Sequence, residues 1–518
     1  MPGLPTLASG CGGTRPAGRW SLLVLVCAGA LAGQAQATPP AVSAGFAVRD
    51  ITPALGQREA HAVARHVFHR YVDPCHVRAA VFASAGRRVA LVGVDALMLP
   101  RSVVLGARAE IHRRIGLEPG AVMIAATHSH SSGPVGLVQP GEFDHAAPDI
   151  RRLAYEESSL ADPGYLTRVQ AAIVEAVESA TAALVPARLG YGFGREDRVP
   201  FNRRQRMRQG VTWSHAGAMN PDIQGPAGPV DPEVGVLGAW DAGGELLGVV
   251  VNFACHATTN PGGISANWPG EMERVVQGAL RTRAPVLFLA GPSGDVTQVD
   301  NLSPLARPDP QTWLKQVGGL IGAEVVKTLL TLPRTAAATL AARSRTWEIA
   351  RRVPAPERVE EARRVIAAGK PAREVTEWTF ARETLLLDAI LPRSPWVEVE
   401  VQALQVGPAV FVSSPAEYFV SFGLEIKRES PFAFTFPVSL ANGCVGYVPD
   451  EVAFGPGGGG YETRLTFYSN LEITAGRQFA ATGLALAREL APDSPPAAPR
   501  IAVPGQPWPH GRVEPQVR

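Results

Sequence analysis

Thr127-His128-Ser129-His130-Ser131-Ser132-Gly133-Pro134 follows directly on an apolar run ending at Ala126. A loop at the carboxyl end of a buried strand is where open α/β sheets place ligands. In an extended chain His128 and His130 face the same way, because side-chain direction repeats every two residues. Neutral imidazoles suit zinc, and an H-x-H pair supplies one or two ligands. Alone, the pair reads equally well as a polar loop with incidental histidines. His256 leaves a second apolar run, residues 249–253. One strand-end histidine is more often a hydrogen-bonded core residue, but zinc catalysis needs ligands gathered from separate strand ends, and two such histidines meet that need. Cys255 beside it points away from His256 in an extended segment and is expected to be packed.

Three further segments carry polar groups at strand exits. Gly294-Asp295-Val296-Thr297 ends the apolar run 286–290 in a glycine-rich turn, able to hold a substrate group, to orient a ligand histidine, or simply to turn the chain. A serine nucleophile is the weaker reading, since Gly291-Pro292-Ser293-Gly294 lacks the G-x-S-x-G spacing. Glu417, after the run 409–412, reads as a ligand, a general base or a helix-terminal glutamate. Tyr447 and Tyr461 flank a glycine-rich loop; tyrosine is an uncommon zinc ligand, so chemistry alone makes both packing residues.

These groups need a scaffold. Residues 77–83 and 89–94 read as strands, one partly exposed and one buried. Ser102 is expected to cap a helix to about 115, and 121–126 to be another buried strand. Strand, helix, strand points to a parallel α/β core. A helix is expected over 165–183, and long loops over the glycine-rich 192–232. Strands follow at 234–240, 246–253 and 286–289, with helices at 268–282 and 313–331. The charged, helical stretch 350–385 reads as an excursion covering a pocket. Residues 397–406 and 409–412 form a hairpin, and a last helix spans about 471–490. The fold class is therefore α/β, with mixed sheets, flanking helices and the polar loops at strand ends.

The chain has 518 residues, 46% apolar and 19% charged, with a net charge of +2. That supports a large core, and excludes the basic stripe of a nucleic-acid partner and a polybasic membrane patch. Arg15 and Arg19 precede an apolar run from Leu22 that ends in Ala35-Gln36-Ala37. This is the pattern of a secretory signal peptide over residues 1–37, implying a periplasmic or secreted protein without a transmembrane helix after cleavage. Beyond it remain Cys75, Cys255 and Cys444, compatible with one disulfide and a free thiol. No C-x-x-C pair is present, which excludes a cysteine-rich structural zinc site. A Pro-rich tail, 493–518, is expected to be disordered.

Taken in order, residues 45–53, the T-H-S-H-S-S-G-P loop, Phe201-Asn202-Arg203, the strand with His256, Gly294-Asp295-Val296, Pro415-Ala416-Glu417 and Gly446-Tyr447-Val448 resemble the neutral (non-lysosomal) ceramidase family. The likeness covers about residues 44–490, within a catalytic domain expected over 38–492. It implies a zinc-dependent amidohydrolase that cleaves ceramide or a related N-acyl lipid to a fatty acid and a sphingoid base, with peripheral contact to membrane lipid. It implies zinc ligands His128, His256, Glu417 and Tyr447. It implies that His130 and Arg203 contact the scissile amide or its oxyanion, that Thr297 donates a hydrogen bond and that Tyr461 lines the site. Asp295 is expected to fix a histidine tautomer. The sequence departs from the family at Thr297-Gln298, where a serine commonly followed by proline is usual, and at the loop after Asp450-Glu451, which is glycine-rich rather than tyrosine-rich. It also leaves no room after the last helix for the family's C-terminal β-sandwich. Two rival readings are a zinc hydrolase of another amide or ester, and an exported binding protein without turnover.

Overall fold

The computed structural model describes residues 41–56, 67–498, 505–506, 508–511 and 514–518. The expected leader and part of the expected tail lie outside these residues. Strands β1 (Val42–Asp50), β2 (His76–Ser84) and β3 (Arg87–Val94) form an antiparallel meander, and α1 (Arg101–Ile115) leads to β4 (Val122–Ala126), parallel to β3. Ser102 does not cap α1. The helix starts from Pro100, whose carbonyl accepts from Val103 and Val104, which leaves Ser102 inside the first turn. Next come α2 (Pro148–Tyr155) and α3 (Pro163–Ala182), the latter capped by the Asp162 carboxylate on the Tyr165 N–H.

β5 (Val185–Arg195) pairs with β1. The stretch expected as long loops instead holds β6 (Phe201–Asn202) and a small sheet of β7 (Arg204–Met207), β8 (Thr212–Ser214) and β9 (Ile223–Pro226). These polar strands carry no apolar alternation, so their main-chain pairing left no mark in the sequence pattern. β10 (Glu233–Asp241), β11 (Leu246–Phe253), α4 (Trp268–Leu280) and β12 (Val286–Ala290) follow. They complete a sheet ordered β12-β11-β10-β5-β1-β2-β3-β4. Within it only β3–β4 and β11–β12 are parallel, so the parallel core holds for two strand–helix–strand units and the sheet as a whole is mixed.

β13 (Val296–Thr297) pairs with β6; α5 (Pro310–Leu329) and β14 (Arg334–Thr335) return the chain to the sheet, β14 pairing with β5. β15 (Leu340–Ala350) opens a second sheet, interrupted by α6 (Pro356–Ala367) and α7 (Thr376–Ile390). β16 (Trp396–Val406) and β17 (Ala409–Ser413) make the expected hairpin. β18 (Glu417–Tyr418), α8 (Val420–Glu429), β19 (Phe434–Val438), β20 (Tyr447–Val448) and α9 (Ala475–Arg488) complete the order.

The buried clusters define four layers. Val77, Ala79 and Val81 of β2 pack with Val104 and Ile111 of α1 and Val169 and Val177 of α3. Val249 and Val251 of β11 likewise meet α4 and α5 through Met272 and Ile321. On the other face Ala80, Phe82, Leu237 and Leu289 meet Leu404, Phe411 and Phe436 of the second sheet. That sheet in turn packs against α8 and α9 through Val401, Val412, Phe422 and Phe479. β2 is therefore covered on both faces, against the expectation of a partly exposed strand. Each large side chain buried this way contributes about 1.5–3 kcal/mol. The first sheet curls until β3 meets β12: a Cβ on Gly93 would lie 2.7 Å from the Phe288 carbonyl oxygen. The α6–α7 excursion packs on α2 and its approach, Val359, Trp378 and Leu385 against Phe143 and Leu153. It does not line the histidine cavity described below.

Candidate metal centre and active site

His128 leaves β4 and His256 leaves β11, and the two loops are bonded to each other. Ser129 bridges Ala257, the His130 N–H donates to the Ala257 carbonyl, and Ser129 Oγ donates to the Ser265 carbonyl. The convergence of His128 and His130 does not come from an extended chain. His128 has a φ of 63°, a left-handed turn, and His130 Nε2 then lies 3.3 Å from His128 Nε2. His128, His130 and His256 together could hold a metal ion, with one nitrogen of each inside a 4.8 Å span.

Glu417 completes this cluster. It lies on β18 and not on a helix N-terminus; its N–H donates to Gly446, and it pairs in register with Tyr447 of β20. Gly446 is required there, with a φ of 80° and space so tight that an added Cβ would sit 1.7 Å from the Tyr468 carbonyl oxygen. Glu417 Oε2 lies 3.2 Å from His128 Nε2 and 3.1 Å from His256 Nε2. All three side chains are at most 3% exposed.

The tautomers follow from the other ring nitrogens. His128 Nδ1 is 2.8 Å from the Leu97 carbonyl and His256 Nδ1 is 2.9 Å from the Val296 carbonyl. A carbonyl only accepts, so both Nδ1 atoms carry the proton and both Nε2 atoms present lone pairs. Asp295 plays no part in this, contrary to expectation. Its carboxylate accepts from Asn202 Nδ2 at 2.7 Å and from the Val420 N–H at 2.9 Å, and burial raises it to about 6. It ties β6 to the start of α8.

Imidazole lone pairs and a carboxylate oxygen turned on one another fit a cation of the zinc type, since acceptors so placed repel unless a positive charge lies among them. Burial, then the Arg203 guanidinium, lowers His256 to about 4, keeping it neutral as a ligand must be.

Arg203, between β6 and β7, is 2% exposed. Its Nε donates to Glu462 Oε1 at 2.9 Å, Nη2 to the Gly294 carbonyl at 2.6 Å and to Tyr447 Oη at 3.2 Å, and Nη1 lies 3.1 Å from His256 Nε2. The hydroxyls of Tyr447 and Tyr461 are 3.3 Å apart, so neither tyrosine is mere packing. Burial, then Glu417, pushes the Tyr447 phenol well above its ordinary range. His130, Arg203, His256, Thr297, Tyr447 and Tyr461 line one cavity of about 580 Å³, the size of a small-molecule site. His128 and Glu417 lie behind this wall. Thr297 Oγ1 donates to Gln298 Oε1 at 3.2 Å.

Three residues of the site were not found from sequence. Glu462 anchors Arg203, and Tyr468 donates to Glu417 Oε1 at 2.7 Å. His215 lies parallel to Tyr461, ring centroids 6.3 Å apart, and burial followed by Arg203 lowers it to about 3. The adjacency of Glu462 to Tyr461 was the available signal for the first; the other two stand in segments without a distinctive pattern. As expected, Cys255 is packed, buried with Sγ 3.9 Å from Gln298 Oε1. Among the described residues Cys75, Cys255 and Cys444 form no disulfide.

Mixed sheets, flanking helices and a histidine cluster at strand ends define a neutral ceramidase-like fold. The chain is similar to neutral ceramidases in fold and, over part of its length, in sequence. The curated neutral ceramidase of Pseudomonas aeruginosa is 32% identical over 209 residues, 37% of this chain. That stretch spans 28% of the relative's length. The crystal structure of neutral ceramidase from P. aeruginosa superposes with a TM-score of 0.63 at 21% identity, covering 89% of this chain and 77% of that one. A ceramidase complexed with C2 gives a TM-score of 0.62 with the same identity and coverage. No family model matches the chain.

Proposed function

We propose that the protein is a zinc-dependent hydrolase cleaving the amide bond of ceramide or a related N-acyl lipid to a fatty acid and a sphingoid base. The observation that carries this reading is the meeting of His128 Nε2, His256 Nε2 and Glu417 Oε2 beside a cavity that Arg203 also lines. In this reading His128, His256, Glu417 and Tyr447 hold the zinc. When bound, zinc supplies Lewis acidity and lowers the pKa of water to about 7.

The remaining roles belong to the chain. The Leu97 and Val296 carbonyls keep the ligand imidazoles in the correct tautomer. Arg203, oriented by Glu462 and Gly294, presents a fixed positive charge where the acyl oxygen gathers negative charge. His130, half-buried on the cavity wall, contacts the scissile amide and handles its proton. Thr297 and Tyr461 position the substrate by hydrogen bonds. The catalytic domain is residues 38–492, exported by a leader at 1–37. Among the described residues no helix is long and apolar enough to cross a membrane, so lipid would be met at the cavity mouth.

The test is fatty-acid release from a short-chain ceramide by the purified protein, with and without a zinc chelator. Release that the chelator abolishes and added zinc restores supports the reading. Release that resists the chelator removes the metal from it. No release from a zinc-loaded protein discards the lipid and favours the second reading, another amide or ester, for which the arginine, asparagine and threonine side chains on the cavity wall speak.

A further inference from the structure

The outer wall of the cavity differs in character from the metal cluster. Among the described residues no aspartate or glutamate lines it, whereas Arg203 and Arg307 both do. Arg203 is neutralised by Glu462, at 2.9 Å and fully buried. Arg307 is not neutralised: among the described residues it has no ion pair or hydrogen bond, and its guanidinium stands 5.7 Å from the ring centroid of Trp313, which also lines the cavity. The acids nearest in sequence turn elsewhere, Asp309 Oδ1 accepting from the Gln311 and Thr312 N–H groups and Asp300 Oδ1 from Leu302.

A second group on the same segment lacks a partner. Asn301 lines the cavity, is 3% exposed, and its Oδ1 meets no hydrogen-bond donor among the described residues. A buried acceptor left in that state is destabilising until a donor reaches it. Val299, Pro308, Pro310 and Trp313 supply the apolar surface nearby. An uncompensated guanidinium over an aromatic ring, an orphaned acceptor and a small apolar patch together suit a short-chain amide with an acidic end.

We propose that this wall is a subsite for N-acyl compounds bearing a carboxylate, Arg307 binding the carboxylate and Asn301 accepting from the amide N–H. This rests on the amidohydrolase reading for turnover but not for binding. It adds acidic N-acyl amides to the ligands of the site, beside the N-acyl lipid of the proposed function.

The experiment compares N-hexanoylglycine with N-hexanoylethanolamine, which differ in bearing a carboxylate or a hydroxyl. Each is titrated calorimetrically into the zinc-loaded protein, the Arg307→Gln variant and the Arg307→Lys variant, with thermal melts to verify folding. The expected result is about tenfold tighter binding of the carboxylate, or about 1.4 kcal/mol, by the unaltered protein. The preference falls to about twofold or less in Arg307→Gln, is partly kept in Arg307→Lys, and weakens with salt because Arg307 is exposed. Equal binding of the two compounds overturns the proposal. A preference that survives in Arg307→Gln also overturns it, by assigning the carboxylate to the metal. Hydrolysis of both compounds is measured in parallel. Preferential binding without hydrolysis of any amide would keep the subsite and discard the hydrolase reading; hydrolysis without preference would do the reverse.

Discussion

Tyr468 donates its phenolic hydrogen to Glu417 Oε1 at 2.7 Å, so Oε2 is the oxygen turned towards His128 and His256. The bond fixes the carboxylate from behind, on the side away from the imidazoles. A partner of this kind sets ligand orientation without touching the ion.

Tyr468→Phe keeps the ring and removes that bond. Zinc affinity is expected to fall about 10–100-fold with little change in melting temperature. Competition against a chromophoric chelator measures it. Unchanged affinity would show that Glu417 is either held by other contacts or not a ligand.

Arg203 and Glu462 are a buried pair, 3% and 0% exposed. Arg203→Met leaves the glutamate charge buried and should destabilise the fold by about 3–5 kcal/mol. Glu462→Gln in the same chain should recover part of that loss. Urea unfolding of the single and double variants gives the coupling, and purely additive effects would contradict the pairing.

Burial raises the Asp73 carboxyl to about 6, despite hydrogen bonds from Ser265 and Ala266. A carboxyl raised above its unfolded value binds its proton more tightly in the folded state. The stability this contributes is complete below about pH 4 and is lost as pH rises through about 6. Relative to Asp73→Asn, the unaltered protein should therefore lose up to about 3 kcal/mol between pH 4 and 7. Urea unfolding across that range tests the sign; a difference between the two proteins that does not vary with pH would refute it.

Gly446→Ala meets both a φ of 80° and a carbonyl 1.7 Å from the new Cβ. The β18–β20 pairing must shift, and with it Glu417 and Tyr447. A loss of at least about 2 kcal/mol is expected, together with weaker zinc binding. Thermal melts with and without zinc report the two effects separately.

Much of the site was legible because each principal residue ends or adjoins an apolar run. His128 and His256 follow β4 and β11, and Glu417 follows β17. A buried strand advertises itself by composition, and the residue after it inherits a predictable location. What escaped depends on contacts that no local pattern encodes. The left-handed turn at His128 brings His130 round, where an extended chain was expected to do so. Tyr468 reaches Glu417 across 51 residues of sequence. Asp295 looked like a histidine partner, yet main-chain carbonyls take that role while it serves Asn202 and Val420. The small sheet of β7, β8 and β9 was hidden for the same reason: its strands are too polar and too short to show a period of two.

The bridge from Ser129 to Ala257 joins two loops that are 128 residues apart in sequence. Until β4 and β11 are in place neither loop has a partner, and Glu417 arrives later still in the chain. The donor atoms thus exist as a set only once the tertiary structure has closed. A chain that crosses a membrane unfolded cannot bring its ion along. Under the proposed export and zinc binding, the chain would capture one where folding finishes, and the metal content of that compartment would select which ion the site first receives.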